Sequence, residues 1–180
     1  MVEMVVESVR VNLQNYHRVV VLKQKDSDRY LPIWIGNNEA DAIVIQLQNV
    51  TVPRPQTHDL LKSVIIQLGA RVERIVVSDL SDDVFYARIL LDMNGRHVEV
   101  DSRPSDAIAL AVRVKAPIFV EESVLEKAGV NLKGEDLSEV VEQSVAEQKP
   151  VTEDELKKLS AFKDFIESLD LDDLGKPERE

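Results

Sequence analysis

Two short runs of the sequence each combine proline, arginine and aspartate directly before an apolar-periodic segment. The first run covers residues 53–59 and includes Arg54 and His58, and the second covers residues 101–106 and includes Arg103. Proline is favoured in the first turn of a helix, where free N–H groups and the helix dipole attract anions. Both runs are therefore expected to be helix starts that can bind a phosphate.

The side chains of these runs match the needs of phosphodiester hydrolysis. That reaction needs an activated water, neutralisation of the charge on the phosphoryl oxygens, and stabilisation of the leaving oxygen. Histidine exchanges protons near neutral pH, a carboxylate can orient it, and arginine offers a fork of donors to phosphate. The predicted catalytic residues are His58, Asp59 and Asp106, and the predicted substrate-binding residues are Arg54, Arg103 and Ser105.

The acidic residues of the same regions also indicate a divalent cation. Carboxylate oxygens are the ligands that Mg²⁺ and Mn²⁺ prefer, and nucleases commonly use one of these ions to neutralise phosphoryl oxygens. We therefore expect Mg²⁺ or Mn²⁺ as a cofactor. The predicted metal ligands are Glu39, Asp59, Asp101 and Asp106.

Each of these groups also has a purely structural alternative. The dipole of a helix favours a carboxylate in the first turn, which would account for Asp59 and Glu39 without any catalysis. Arg103 can form an ion pair with Asp106 across the helix start and can pair with Asp101 as well. From the sequence alone, both the catalytic and the structural alternatives remain open.

Composition limits the class of protein. The chain has 180 residues, of which 44% are hydrophobic, enough for one ordinary domain with an appendage. Its net charge of -11 argues against a broad basic surface that coats nucleic acid. From Glu126 onward there are 8 basic and 16 acidic residues, so most of the negative charge lies in the tail.

Cysteine and hydropathy exclude further classes. The chain contains no cysteine, which excludes disulfides, thiolate metal sites and a cysteine nucleophile. Acidic residues occupy the first positions, where a signal peptide needs positive charge, and no apolar run is long enough to span a membrane. We therefore expect a cytoplasmic protein without a membrane partner.

The hydrophobic pattern predicts an α+β fold with a mixed, largely antiparallel sheet, two or three packed helices and a C-terminal helical tail. Asn94 and Gly95 predict a tight hairpin turn, Pro32 predicts an edge position or a bulge, and Gly69 is expected to end a helix. Strands are predicted at 2–11, 17–24, 29–35, 72–78, 84–92, 97–100 and 117–120. Helices are predicted at 39–47 behind an Asn cap, at 57–68 capped by Thr57, at 104–115 and at 123–128.

The chain is predicted to divide into a domain at residues 1–130 and an acidic helical tail at residues 131–180. The tail contains a capping box at 152–155 followed by an apolar stripe that includes Leu156, Phe162 and Ile166. Such a stripe must be buried against the same chain or a second subunit. We therefore expect a homodimer or a higher homo-oligomer.

Several blocks together resemble one known family. They are Pro-Ile-Trp-Ile-Gly at 32–36, Glu-Ala at 39–40, Pro-Arg-Pro at 53–55, Thr-His-Asp-Leu-Leu at 57–61 and Arg-Pro-Ser-Asp-Ala-Ile-Ala-Leu at 103–110. In this order they resemble the bifunctional nuclease domain family over about residues 1–128. The resemblance implies a compact domain of mixed sheet and helices, and a nuclease whose partners are DNA and RNA. The alternative is a non-catalytic, regulatory oligomer that binds an anionic ligand.

Overall fold

The computed structural model describes residues 1–11 and 17–131. Nearly all of the predicted tail at 131–180 lies outside the described residues. The α+β prediction is confirmed.

The described elements, in chain order, are β1 (Val2–Val11), β2 (Arg18–Gln24), β3 (Arg29–Ile35), α1 (Asn37–Leu47), α2 (Thr57–Gln67), β4 (Arg71–Ser81), β5 (Val84–Met93), β6 (Arg96–Ser102), α3 (Pro104–Val114), β7 (Ile118–Val120), α4 (Glu122–Ala128) and β8 (Val130–Asn131).

The strands form one eight-stranded sheet in the order β6-β5-β4-β7-β1-β2-β3-β8. Two antiparallel meanders, β1-β2-β3 and β4-β5-β6, account for most of it. The short strand β7 joins them, since Ile118 pairs with Met4 of β1 in antiparallel fashion and with Ile75 of β4 in parallel fashion. The β4–β7 pair is the parallel contact of the described sheet, which is therefore mixed and largely antiparallel.

Helix α3 holds the helical layer together. Its residues Ala107 to Ala111 are completely buried, and both α1 and α2 contact it. Alanine side chains let neighbouring helices approach closely, and the apolar side chains of the sheet complete one continuous core with α3. None of the described helices is both long and apolar enough to cross a membrane.

Three local predictions from the sequence agree with the structure. Asn94 and Gly95 have φ values of 54° and 86°, as a tight hairpin turn requires. Gly69 follows α2 with a φ of 75°, the left-handed conformation typical of a residue just after a helix. On the outer side of β3, strand β8 pairs only with Arg29 and Tyr30, so Pro32 lies at an unpaired stretch of edge within the described sheet.

Both predicted helix caps are wrong, the cap of α1 by two residues and the cap of α2 by one. Gly36 is the N-cap of α1, because the chain turns into the helix directly after β3 and the Ala40 N–H already donates to the Gly36 carbonyl. Gln56, and not Thr57, is the N-cap of α2. Asp59 sets that start, since its carboxylate accepts the Gln56 N–H at 2.9 Å, as in one half of a capping box.

Candidate active site

The two proline-led helix starts meet in the folded protein. His58 belongs to the first turn of α2 and Asp106 to the first turn of α3. The Nε2 atom of His58 lies 3.0 Å from Oδ1 of Asp106, although 48 residues separate them in the chain. The His58 side chain is only 8% exposed and that of Asp106 is 29% exposed. This contact is therefore partly shielded from water, which strengthens it.

Arg103 extends the contact to a third helix. It is the N-cap of α3, and its Nε atom donates to Oδ2 of Asp106 at 2.8 Å. Its Nη2 atom donates to Oε1 of Glu39, in the first turn of α1, at 2.7 Å. Glu39, Arg103, Asp106 and His58 thus form a continuous chain of contacts, which we call the helix-start network. The Arg103 side chain is 66% exposed, so the network reaches the protein surface.

A second cluster centres on Arg113, which the sequence predictions did not include. Its Nε atom donates to Oδ1 of Asp59 at 2.7 Å, its Nη2 to Oε1 of Gln56 at 3.2 Å and its Nη1 to the Ala109 carbonyl at 2.9 Å. The side chain is 2% exposed. The sequence did carry a signal for it, because Arg113 is the sole charged residue between Asp106 and Lys115, and arginine is rarely buried without a partner.

Neighbouring charges set the protonation of both aspartates. Partial burial of Asp106 favours its neutral form, but hydrogen bonds from Arg103 and His58 outweigh burial and lower the pKa of the carboxyl. Burial opposes ionisation of Asp59 in the same way, and the Gln56 N–H and Arg113 outweigh it, so this pKa is also lowered. Both carboxyl groups are therefore ionised at neutral pH.

An ionised Asp106 determines which nitrogen of His58 carries the hydrogen. A carboxylate can only accept hydrogen bonds, so the Nε2 atom that contacts it must be the donor. The neutral ring then has its basic lone pair on Nδ1. Asp106 thus holds the ring of His58 in place and fixes this tautomer.

Among the described contacts, no hydrogen bond or ion pair joins Arg54, Ser105 or Asp101 to the helix-start network. Arg54 is exposed in the segment before α2, and Ser105 is buried in the first turn of α3. Asp101 is exposed on β6, where it stands opposite Arg88 of β5. Arg103 forms the ion pair with Asp106 that the sequence allowed, and its second acidic partner is Glu39 and not Asp101.

The four predicted metal ligands do not gather into one site. Residues 1–11 and 17–131 contain no group of three or more histidine or acidic side chains that could hold a metal ion. Arg103 lies between Glu39 and Asp106, while Asp59 faces Arg113. These arginines occupy carboxylate oxygens that a Mg²⁺ or Mn²⁺ ion would need, so this donor set does not fit a preformed divalent-cation site.

Loss of the Arg113 guanidinium should destabilise the fold. We expect Arg113→Met to lower the free energy of unfolding by about 3 kcal/mol, because it removes one partner of a buried pair and leaves Asp59 partly buried without its cation. Urea denaturation of the full chain measures this. The matched control is Arg88→Met, whose pair with Glu99 has both side chains at least half exposed and should lose less than about 1 kcal/mol. Equal losses for the two variants would contradict the structural role of Arg113.

The lowered pKa values of Asp59 and Asp106 also predict a dependence of stability on pH. A carboxyl with a lower pKa in the folded state stabilises the fold above the unfolded pKa of about 4, and this contribution is lost as the pH falls through the folded pKa. Asp59→Asn and Asp106→Asn should therefore be less stable than the parent chain near pH 7, with a difference that shrinks towards pH of about 3. Urea midpoints over this range measure it, with Asp101→Asn as the control for removing one negative charge. A difference that does not change with pH would show that titration of these carboxyls contributes nothing.

Comparison with known proteins places these residues inside one family. The family model described as the bifunctional nuclease domain matches residues 20–133, which include α1, α2 and α3. An uncharacterized protein of Mycobacterium tuberculosis is 40% identical over 171 residues, covering 95% of this chain and 96% of that protein.

Plant nucleases match over a shorter region. Bifunctional nuclease 1 of Oryza sativa subsp. indica is 31% identical over 120 residues, which is 64% of this chain and 36% of the plant protein. Bifunctional nuclease 2 of Arabidopsis thaliana is 31% identical over 127 residues, which is 67% of this chain and 39% of the plant protein. This chain therefore spans little more than a third of each plant nuclease. From the match of the family model over most of its length, the chain belongs to the bifunctional nuclease domain family.

Proposed function

We propose that this protein is a nuclease that hydrolyses phosphodiester bonds of DNA and RNA, and that the helix-start network is its active centre. Family membership supports a nuclease, and the plant relatives carry that name. The observation that carries the assignment of the site is the 3.0 Å contact between His58 and Asp106. It joins a proton-transfer group to an ionised carboxylate at the meeting point of two helix starts.

In the proposed mechanism, His58 is the general base and Asp106 its positioning partner. Nδ1 of His58 takes a proton from the water that attacks phosphorus, and Asp106 stabilises the imidazolium through Nε2. As the new P–O bond forms, the bond to the leaving oxygen breaks, and solvent protonates the leaving alkoxide. The exposed guanidinium of Arg103 neutralises charge on the phosphoryl oxygens.

The remaining predicted residues take supporting roles in this proposal. Arg54, exposed ahead of α2, contacts a phosphate of the bound strand. Ser105, which is buried in the first turn of α3, is assigned a structural role there and not a contact with the strand. Asp59 is assigned a positioning role, because its two oxygens already accept from Arg113 and from the Gln56 N–H. It fixes the first turn of α2 and thereby the ring of its neighbour His58.

The proposed mechanism contains no step through a metal ion, since Arg103 donates to one oxygen each of Asp106 and Glu39, and Arg113 donates to one oxygen of Asp59. The Mg²⁺ or Mn²⁺ expected from the sequence is retained as a condition of the assay. Cleavage is measured with each ion and with EDTA, and stimulation by one ion would show that the complex of the protein with its nucleic acid binds that ion.

Replacement of His58 gives the test of this function. We expect His58→Gln and Asp106→Asn each to lower the rate of cleavage of single-stranded DNA and RNA by about 100-fold or more, because each removes part of the general base. The assay uses protein from a nuclease-deficient host, and activity must co-elute with the protein.

His97→Gln is the matched control for this assay. His97 lies 3.0 Å from Glu73, the same separation as in the His58–Asp106 pair, but its side chain is 70% exposed on the sheet. This control should cleave at the rate of the parent chain. If His58→Gln also cleaves at that rate, the proposed active centre is wrong.

The alternative function is a non-catalytic protein that binds an anionic ligand. The observation that favours anion binding is the 66% exposed Arg103 at the start of α3, and mutual pairing of Glu39, Arg103, Asp106 and His58 favours a non-catalytic role. Such pairing is also typical of structural ion-pair networks. Binding of oligonucleotides by the parent chain without cleavage, under every ion condition, would favour this alternative.

We also propose that the protein forms a homodimer through α2. Leu60, Val64 and Leu68 lie one turn apart along one face of this helix, and their exposed fractions are 59%, 44% and 68%. Apolar side chains at this spacing form a stripe, and an exposed stripe is typical of a surface that associates with a partner.

Lysine substitutions in this stripe test self-association. The parent chain should elute with about twice the chain mass of 20.3 kDa in size exclusion with light scattering. Leu60→Lys combined with Leu68→Lys should shift it to a single chain mass, because two buried charges would lack partners. Val84→Lys, at an apolar side chain on β5 that is 52% exposed, is the control and should remain a dimer. A stripe variant with unchanged mass would remove α2 from the interface.

A further inference from the structure

A cavity of about 380 Å³ lies between α2, the beginning of β4 and the end of α3. Four basic residues line it, and none of the described residues that line it is acidic. Apolar side chains complete the wall, among them Ile66 and Val72. The basic residues are Lys62, Arg71, Arg113 and Lys115.

The positive character of this cavity is unusual for the chain as a whole, whose net charge is -11. Arg113 is neutralised by Asp59 and contributes little. Arg71 contacts Asp92 at 2.9 Å and Glu73 at 4.0 Å, but its side chain is 72% exposed, and such surface pairs are weak enough for a ligand to displace. Lys62 donates to the Arg113 carbonyl at 3.3 Å, and Lys115 is exposed just after α3. Three cations can therefore turn towards one ligand.

We propose that this cavity binds one nucleotide unit, either a free mononucleotide or a nucleotide within a single strand. Lys62, Arg71 and Lys115 hold the phosphate, and the base lies against the apolar wall, which includes Ile66 with 54% of its side chain exposed. The volume lies within the range of about 300–1,000 Å³ typical of small-molecule sites. A plain inorganic anion would leave the apolar wall unused, which is why a nucleotide fits better.

This site goes beyond the proposed active centre and does not require cleavage. It is connected to the helix starts through Arg113, which lines the cavity and also donates to Asp59. A neighbouring cavity of about 460 Å³ shares Arg71 and is also lined by Arg74, Phe119 and the acidic Glu73. A strand that left the first cavity past Arg71 would meet a second arginine and an aromatic ring, the combination used to hold single strands.

The test measures binding to the full chain by calorimetry, with 5′-AMP, adenosine, inorganic phosphate and a short phosphorothioate DNA strand as separate probes. We expect saturable binding of 5′-AMP and weaker binding of adenosine and of phosphate. Adenosine lacks the phosphate that the cations hold, and phosphate lacks the base that lies against the apolar wall. Lys62→Gln combined with Lys115→Asn should weaken 5′-AMP by about tenfold or more. Asparagine is chosen at position 115 because Lys115 has a φ of 56°, a conformation that asparagine tolerates.

Matched variants show whether a loss of binding comes from this cavity, from the removal of any positive charge, or from a change in the active centre. Lys25→Gln removes an exposed lysine that contacts Glu3 on another part of the sheet, and it should bind 5′-AMP like the parent chain. His58→Gln should also keep 5′-AMP binding, so a failure of the proposed nuclease mechanism does not decide this test. Arg71→Gln provides a second variant if the double variant does not fold, and it should lose affinity in the same direction.

Three results would overturn the proposal. The first is that the parent chain binds neither 5′-AMP nor the strand. The second is that the double variant binds 5′-AMP with unchanged affinity, and the third is that the parent chain binds 5′-AMP and inorganic phosphate equally well. A strand that binds more tightly than 5′-AMP and is weakened by the same substitutions identifies the nucleotide as part of a strand. A strand that binds no better than 5′-AMP identifies a free mononucleotide.

Discussion

A charged side chain that is removed from water must meet compensating charge or hydrogen bonds, and this constraint organises the helical layer. Arg113 is buried at the end of α3, so its guanidinium requires acceptors that its own helix supplies only in part, at Ala109. The start of α2 supplies the others at Asp59 and Gln56. Because this contact fixes α2 against α3, the neighbouring His58 is directed towards Asp106.

Local patterns were sufficient for most of the fold. Alternation and turn residues located seven of the eight described strands and the hairpin at Asn94, because neighbouring residues decide those features. The two-residue strand β8 was not predicted, since so short a segment carries no alternation. Helix α1 begins two residues before its predicted start, and the N-cap of α2 is Gln56, one residue before the predicted Thr57. In α2 the hydrogen bond from Gln56 to Asp59 decided the cap over the general preference for threonine at that position. The joining of the two meanders through β7 involves residues far apart in the chain, which no local pattern reveals.

The sequence predicted several of the residues that form the candidate site, but it did not predict most of the residues that they contact. The proline-led runs correctly indicated two helix starts, and the contact of His58 with Asp106 brings them together. The partners of Arg103 and Asp59 were not predictable, since Glu39 lies 64 residues from Arg103 and Arg113 lies 54 residues from Asp59. Such distant pairs depend on how α1 and α2 cross α3. The lone arginine in an apolar helix was the one usable signal, because burial forces it to find a carboxylate.

The short strand β7 has a consequence for how the domain comes apart. Three residues on each side are all that hold the two meanders edge to edge in the described sheet, and so few hydrogen bonds form a weak seam. The helical layer joins the two meanders as well, since α3 contacts β4 and β5 and also α1, which contacts β1 and β2, while α4 contacts both β4 and β3. Helices α3 and α4 therefore carry much of the coupling between the two meanders, and a substitution that loosens these helices is expected to let one meander open before the other.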